Sequence, residues 1–203
     1  MLQLPDNNFT LIEPLHNGHY LYSITLTEPT SLSPGHKLQI NDQALHVLNH
    51  QDKKLQLICQ QNLNLEDVSG KKAEVIGQGI SDEQINALKD EGRLIISGRN
   101  DGIYHALFLV NRMRQLLGES QTRELIELVV FESLETFPFR PEPSQFITDA
   151  LPHGVIGTIP LLEDLKICCR LAQPHGMPGC FEGTIEELLQ HLEAEPHRVH
   201  FEG

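Results

Sequence analysis

The run from Ser97 to Val110, SGRNDGIYHALFLV, follows the short apolar stretch RLII and sets Gly98 and Gly102 around a tight loop. A strand, a glycine loop and a helix make the usual cradle for a nucleotide phosphate. Backbone N–H groups and the helix dipole converge there on an anion. Between these glycines stand Arg99, Asn100 and Asp101. Side chains on Arg99 and Asn100 crowd the close approach of a phosphate, and Asp101 brings a carboxylate to a place made for anions. Two readings stay open. Arg99 pairs with a phosphate, or Asp101 takes the helix dipole for itself as a capping residue.

Other reactive residue types are scattered. Cys59, Cys168, Cys169 and Cys180 form no C-x-x-C pair. Cys168 and Cys169 are neighbours in an expected strand, so they face opposite ways. The expectation is reduced thiols and no metal or iron–sulfur site. His175 and Cys180 in HGMPGC offer two metal ligands, which is too few for a site. His191, His197 and His200 are close in sequence, but Pro196 interrupts any helical spacing between them. Ser97 has no base beside it in the sequence, and no Gly-x-Ser-x-Gly elbow is present.

The elements that must position these groups fall into two parts. Up to about residue 80 the chain reads as short strands: YLYSITLT, KLQI, ALHVL, KLQLIC and KAEVIG, separated by HNGH, SPGH, NDQ, HQDK and VSGK. That spacing predicts a small antiparallel barrel over residues 1–80. From Ile80 the period changes. Ser81 and Gln84 form a capping-box pattern with Gly92 as the stop, and Thr184 with Glu187 form a second. RLIIS, LIELVVF, GVIGTI, KICCRLA and HRVHF read as strands alternating with the helices IYHALFLVNRMRQLL and TIEELLQHL. This predicts an α/β domain with a parallel sheet over residues 81–203. Ligand residues in such sheets sit past the carboxyl ends of strands. Here VHFEG ends the sequence just after the last one.

Composition narrows the partners. The 203 residues carry 15 Lys and Arg against 28 Asp and Glu, a formal net charge of −13. That charge disfavours nucleic acid and anionic membranes and suits a less acidic or basic protein. No apolar run reaches the roughly 18 residues of a membrane span. The N-terminus MLQLPDNNF does not read as a signal peptide, so the expected compartment is the cytoplasm.

A barrel followed by a nucleotide-type α/β domain resembles the ferredoxin–NADP reductase superfamily, with a closer likeness to electron-transfer subunits of the dihydroorotate dehydrogenase type. PGHKLQI, FPFRPEPSQF, GVIGTIPLLEDL and PGCFEGTIEELL carry it, most clearly from Arg93 to Gly203. The resemblance implies a flavin-binding barrel and a nicotinamide-nucleotide domain. The departures from it are specific. The family's flavin-binding arginine has no counterpart, because no arginine precedes Arg93; His46 and His50 stand nearest its place. The family's Gly-Gly-Gly-x-Gly loop is here Gly98-Arg99-Asn100-Asp101-Gly102. The Cys-Gly-Pro expected after the last strand and the cysteine cluster of the electron-transfer subunits are missing as well.

These departures predict a non-catalytic adaptor on a degenerate reductase fold, with no cofactor, no metal and no catalytic residue. The alternative is an electron-transfer subunit that holds a nicotinamide or flavin nucleotide at Gly98, Arg99 and Gly102. Length and acidity also resemble an adaptor of the Dot/Icm type IVB secretion apparatus. That likeness implies a role in virulence and association with small secretion chaperones or a coupling complex. FPFRPEPS, with Phe137, Phe139 and Arg140, reads either as a rigid surface anchor for a partner or as a packed loop held by its prolines.

Overall fold

The computed structural model describes residues 1–6, 8–64, 68–135, 137–192 and 196–203. The first part is one curled antiparallel sheet. Its middle strands are β3 (Tyr20–Thr25), β4 (Lys37–Ile40), β5 (Gln43–Gln51), β6 (Lys54–Cys59) and β7 (Lys72–Ile76), and its edges are β1 (Leu2–Gln3) and β2 (Phe9–Pro14). The order is β1-β7-β4-β5-β6-β3-β2. Ile40 pairs with Gln43 and Gln51 with Lys54, leaving two-residue turns led by Asn41 and Asp52. Both leaders take left-handed backbone, φ 53° and 54°, as the twist of tight hairpins demands. Alternation puts Tyr22, Ile24, Leu38, Leu45, Val47, Leu55 and Leu57 into the enclosed core. The edge strand β2 was not legible as a strand, because nearly all of its side chains face solvent.

The second part begins with α1 (Asp82–Ala87), capped as expected: Gln84 N–H donates to Ser81 Oγ at 3.3 Å and Ser81 N–H to Gln84 Oε1 at 2.9 Å. There follow β8 (Leu94–Arg99), α2 (Gly102–Leu117), α3 (Glu119–Leu125) and β9 (Ile126–Glu132). After a long loop come α4 (Pro160–Asp164), β12 (Cys169–Ala172), α5 (Ile185–Leu189) and β13 (His197–Phe201). The sheet is parallel, in the order β12-β9-β8-β13. GVIGTI is a correction. Only Gly157–Thr158 (β11) is extended, and it pairs antiparallel with Glu142–Pro143 (β10) in a separate ribbon.

Helix α2 joins the two parts. Its first nine residues are all buried. Phe108 enters the half-barrel core, whereas Leu107, Leu109 and Val110 pack with Ile96, Val129 and Leu171 of the parallel sheet and with Leu48 and Ile58 of the half-barrel. Asn111 Nδ2 adds a bond to the Leu48 carbonyl at 3.0 Å. The opposite sheet face is covered by α5 and by Leu151 and Val155. Arg170, 1% exposed, ties the loop above this face to β12. Its guanidinium donates to the carbonyls of Phe146 and Cys169, both at 2.6 Å, and to Thr148 Oγ1 at 3.0 Å.

In FPFRPEPS the reading of Phe137 as a surface anchor is corrected, whereas Arg140, Glu142 and Pro143 of the same stretch are exposed. Phe137 is 1% exposed in the main core, and Phe139 packs partly buried against the same cluster. Exposed large apolar side chains lie elsewhere, at Leu11, Ile12, Leu134, Ile147 and Ile156. Among the described residues no helix is long and apolar enough to cross a membrane.

Candidate functional site

The parallel register sets the carboxyl ends of β8, β9 and β13 on one rim. Arg99 stands beside Glu132 at the ends of adjacent strands, and Phe201 beside Gly98. On this rim Arg99 is enclosed by acids. It holds buried Glu132 through Nε to Oε1 at 2.9 Å and Nη2 to Oε2 at 3.0 Å. The same guanidinium meets Glu186 at 2.7 Å and Glu202 at 3.2 Å. Its hydrogen bond to Glu132, with further bonds from the other two, holds its pKa above the usual arginine value against the opposing effect of burial. Glu132 also accepts from Ile185 N–H at the start of α5, at 2.8 Å.

The loop between the glycines turns through Asn100, whose φ of 51° is left-handed. Asn100 N–H donates to the Glu132 carbonyl at 2.9 Å, so the turn is held by β9. Gly98 and Gly102 serve close packing. A Cβ on Gly98 would lie 2.5 Å from the Gly102 carbonyl oxygen, and one on Gly102 would overlap the Phe201 carbonyl. The chain itself crosses the helix start here: a Cβ on Gly203 would lie 2.6 Å from Gly102 N.

Asp101 does not cap α2. It lies at the N-cap position with helical backbone and without a side-chain cap bond. Its carboxylate turns to the half-barrel, 3.7 Å from Lys37 Nζ and 3.6 Å from His46 Nε2. A helical N-cap backbone carries the side chain away from the N2 and N3 amides, so a cation across the junction wins.

His46 does sit at the junction, 4% exposed, stacked on Tyr104 at 4.3 Å. Burial pushes its pKa down to about 4, outweighing the opposing pull of Asp101. The imidazole is therefore neutral at pH 7, and its contact with Asp101 is not an ion pair there. His105, 6.3 Å away edge-on, is lowered to about 4 by burial as well. His50 is elsewhere, with Nε2 2.8 Å from the Asp52 carbonyl.

These residues do not fit a pyrophosphate or a flavin phosphate. The arginine nearest the loop is held by three carboxylates, Asp101 faces the junction, and Gly203 lies over the α2 amides. The histidine nearest the place of the family's arginine is buried and neutral.

A constellation that sequence reading missed lies beside Arg99. Ser97 Oγ is 2.9 Å from His200 Nδ1, and His200 Nε2 is 2.8 Å from Glu202 Oε2. Adjacent strands bring them together, since Ser97 and His200 are register partners across β8 and β13. The order resembles a Ser–His–acid relay. Ser97 is only 3% exposed, however, and Glu202 is shared with Arg99. A buried hydroxyl leaves no room for an acyl group, so the relay fastens β13 to β8.

The remaining candidates separate. His197 meets Glu91 at 3.2 Å and His191 packs edge-on against Phe181, away from His200; residues 193–195 between them lie outside the described residues. Cys169 joins the inner core and Cys168 the outer one, on opposite faces as expected. Burial raises the thiols of Cys59 and Cys180 to about 11 and of Cys169 to about 12, which keeps them protonated at neutral pH. Among the described residues no group of His, Cys, Asp and Glu is arranged to hold a metal ion.

No family model and no curated protein matches the chain. Solved structures do. The cytochrome P450 reductase GcoB of Amycolatopsis aligns with a TM-score of 0.57 at 10% identity, over 98% of this chain and 60% of that one. The flavohem-like FAD/NAD-binding domain of nitric oxide dioxygenase from Vibrio cholerae aligns at 0.52 and 7% identity, over 96% and 85%. The ferredoxin reductase in carbazole 1,9a-dioxygenase aligns at 0.52 and 10% identity, over 98% and 58%. The chain therefore spans less than two thirds of the first and third of these proteins. What they share with it is architecture: a curled antiparallel half-barrel followed by a parallel sheet, the ferredoxin reductase-like fold.

Proposed function

We propose that the chain is a non-catalytic adaptor built on the ferredoxin reductase-like fold, acting by binding a less acidic or basic protein. The supporting observation is the Arg99 cluster. The only cation in the loop between Gly98 and Gly102 is engaged by Glu132, Glu186 and Glu202 of the same chain. A scaffold that satisfies its own anion cradle keeps its surface for protein contacts. Small secretion chaperones and a coupling complex are the partners that the type IVB resemblance implies.

Absorbance and calorimetry test this reading. The purified protein is expected to show no flavin band and no heat of binding with NADH, NADPH or FAD at micromolar concentrations. A stoichiometric flavin band, or a micromolar Kd for either nicotinamide nucleotide, would establish the electron-transfer alternative in its place.

A further inference from the structure

The parallel sheet has two edges, and they differ. Outside β12 the segment around Phe181 lies alongside: Phe181 N–H donates to the Leu171 carbonyl and Gln173 N–H to the Phe181 carbonyl, both at 2.8 Å. Outside β13 no strand lies alongside among the described residues. His197 N–H donates inward, to the Arg93 carbonyl at 3.2 Å. Successive residues of a strand turn their backbone groups to opposite sides, so His197, Val199 and Phe201 face β8. The N–H and C=O groups of Arg198 and His200 therefore point off the open edge.

This edge is complementary to itself. In an antiparallel pairing centred on Val199, Arg198 stands opposite His200 of a second copy, and His200 opposite Arg198 of that copy. Each of these pairs exchanges two N–H···O=C bonds, which satisfies the outward groups of both residues. A shift by one residue would set an inward group against an outward one. The side chains add charge complementarity. Arg198 is exposed and meets no carboxylate of its own chain among the described residues. Arg198 and His200 share one face by alternation, and His200 Nε2, 2.8 Å from Glu202 Oε2, shows that Glu202 lies on that face too. Arg198 then lies diagonally across from Glu202 of the second copy, roughly 7–8 Å away and within reach of a long side chain. The Glu202 side chain is 59% exposed and open to that approach.

We infer that β13 is a self-association edge, pairing antiparallel with β13 of a second copy of this chain about a two-fold axis. The two four-stranded parallel sheets then continue as one. The occupant is a second copy because the same few residues supply both the outward backbone groups and the opposite charges, as an isologous contact requires. An unrelated strand would satisfy the backbone without answering the Arg198 and Glu202 charges. The inference goes beyond the adaptor reading and does not depend on it. One strand from each copy makes a small contact, and two copies of net charge −13 repel at a distance. The dimer is therefore weak, with a Kd of about 10–100 µM at moderate salt.

Sedimentation velocity on the full chain, from about 1 to about 300 µM in about 0.15 M salt, reads the assembly. A concentration-dependent passage from monomer to dimer is expected. Arg198→Glu sets carboxylates against each other at both ends of the contact and should raise Kd about tenfold or more. Arg198→Pro removes an outward N–H and the cation, a substitution that edge strands accept, and should abolish the dimer. Arg198→Lys keeps the charge and should stay within about threefold of the unmutated chain. Circular dichroism should be unchanged in all three. Amide exchange in the unmutated protein gives a reading that no variant's folding can disturb. The amides of Arg198 and His200 should exchange more slowly as concentration rises, whereas those of Val199 and Phe201, already turned to β8, should not change. A monomer throughout the range, a dimer indifferent to Arg198→Glu and Arg198→Pro, or edge amides whose exchange ignores concentration would overturn the inference.

Discussion

Arg99 grips the carboxylate of Glu132 with two nearly parallel hydrogen bonds, 2.9 and 3.0 Å long, at the ends of neighbouring parallel strands. Glu132 is 2% exposed, and Arg99 is the cation that compensates the burial of its carboxylate. Replacing Glu132→Gln keeps the volume and removes the charge. The expected loss of stability is about 2–4 kcal/mol, because one half of a buried pair is left uncompensated. Urea denaturation measures it. A loss below about 0.5 kcal/mol would show that Glu186 and Glu202 suffice for Arg99.

Acid should weaken the fold through His46 and His105. Both have folded-state pKa values of about 4, whereas free histidine titrates near 6.5. As pH falls from about 6.5 to about 4 the unfolded chain takes up protons that the folded one refuses, and stability drops. Each histidine contributes a slope approaching about 1.4 kcal/mol per pH unit in that window. Below pH 4 their contribution levels off. Denaturation midpoints at pH 7, 6 and 5 should fall steadily, and His105→Gln should flatten the trend. Midpoints independent of pH across this range would contradict the buried neutral imidazoles.

Phe137 belongs to the core and not to a docking surface. Phe137→Ala should cost about 3–5 kcal/mol, the usual toll of emptying a buried aromatic site. Phe139→Ala, at a partly buried position, should cost less. The comparison of their thermal midpoints decides the point. Equal and small effects would return the loop to the surface.

The Ser97–His200–Glu202 relay should be chemically silent. A fluorophosphonate probe requires an accessible oxygen and space for a tetrahedral adduct. Intact-mass measurement after prolonged treatment should show an unmodified chain. Stoichiometric labelling lost in Ser97→Ala would instead identify a nucleophile.

Much of the framework was written in local sequence. Both capping boxes formed as their spacing dictates, since Ser81 to Gln84 and Thr184 to Glu187 are bonds across three residues. The strand periods of the half-barrel and the α/β alternation after Ile80 were legible for the same reason: apolar residues repeat at the pitch of the element they build. The absence of an arginine before Arg93 was a fact of composition.

Partnership at the rim was another matter. Arg99 finds Glu132, Glu186 and Glu202 at separations of 33, 87 and 103 residues, and Asp101 faces Lys37 and His46 across the junction. Ser97 meets His200 because the register of β8 with β13 aligns them. A charge several bonds from its backbone selects whichever partner the assembled strands bring within a few ångströms. Local sequence sets which residues point to a face, and strand order and register decide what they meet there. Only the tertiary structure could place Arg99 among its own acids, send Asp101 away from the helix it begins, and bury Phe137 in the core.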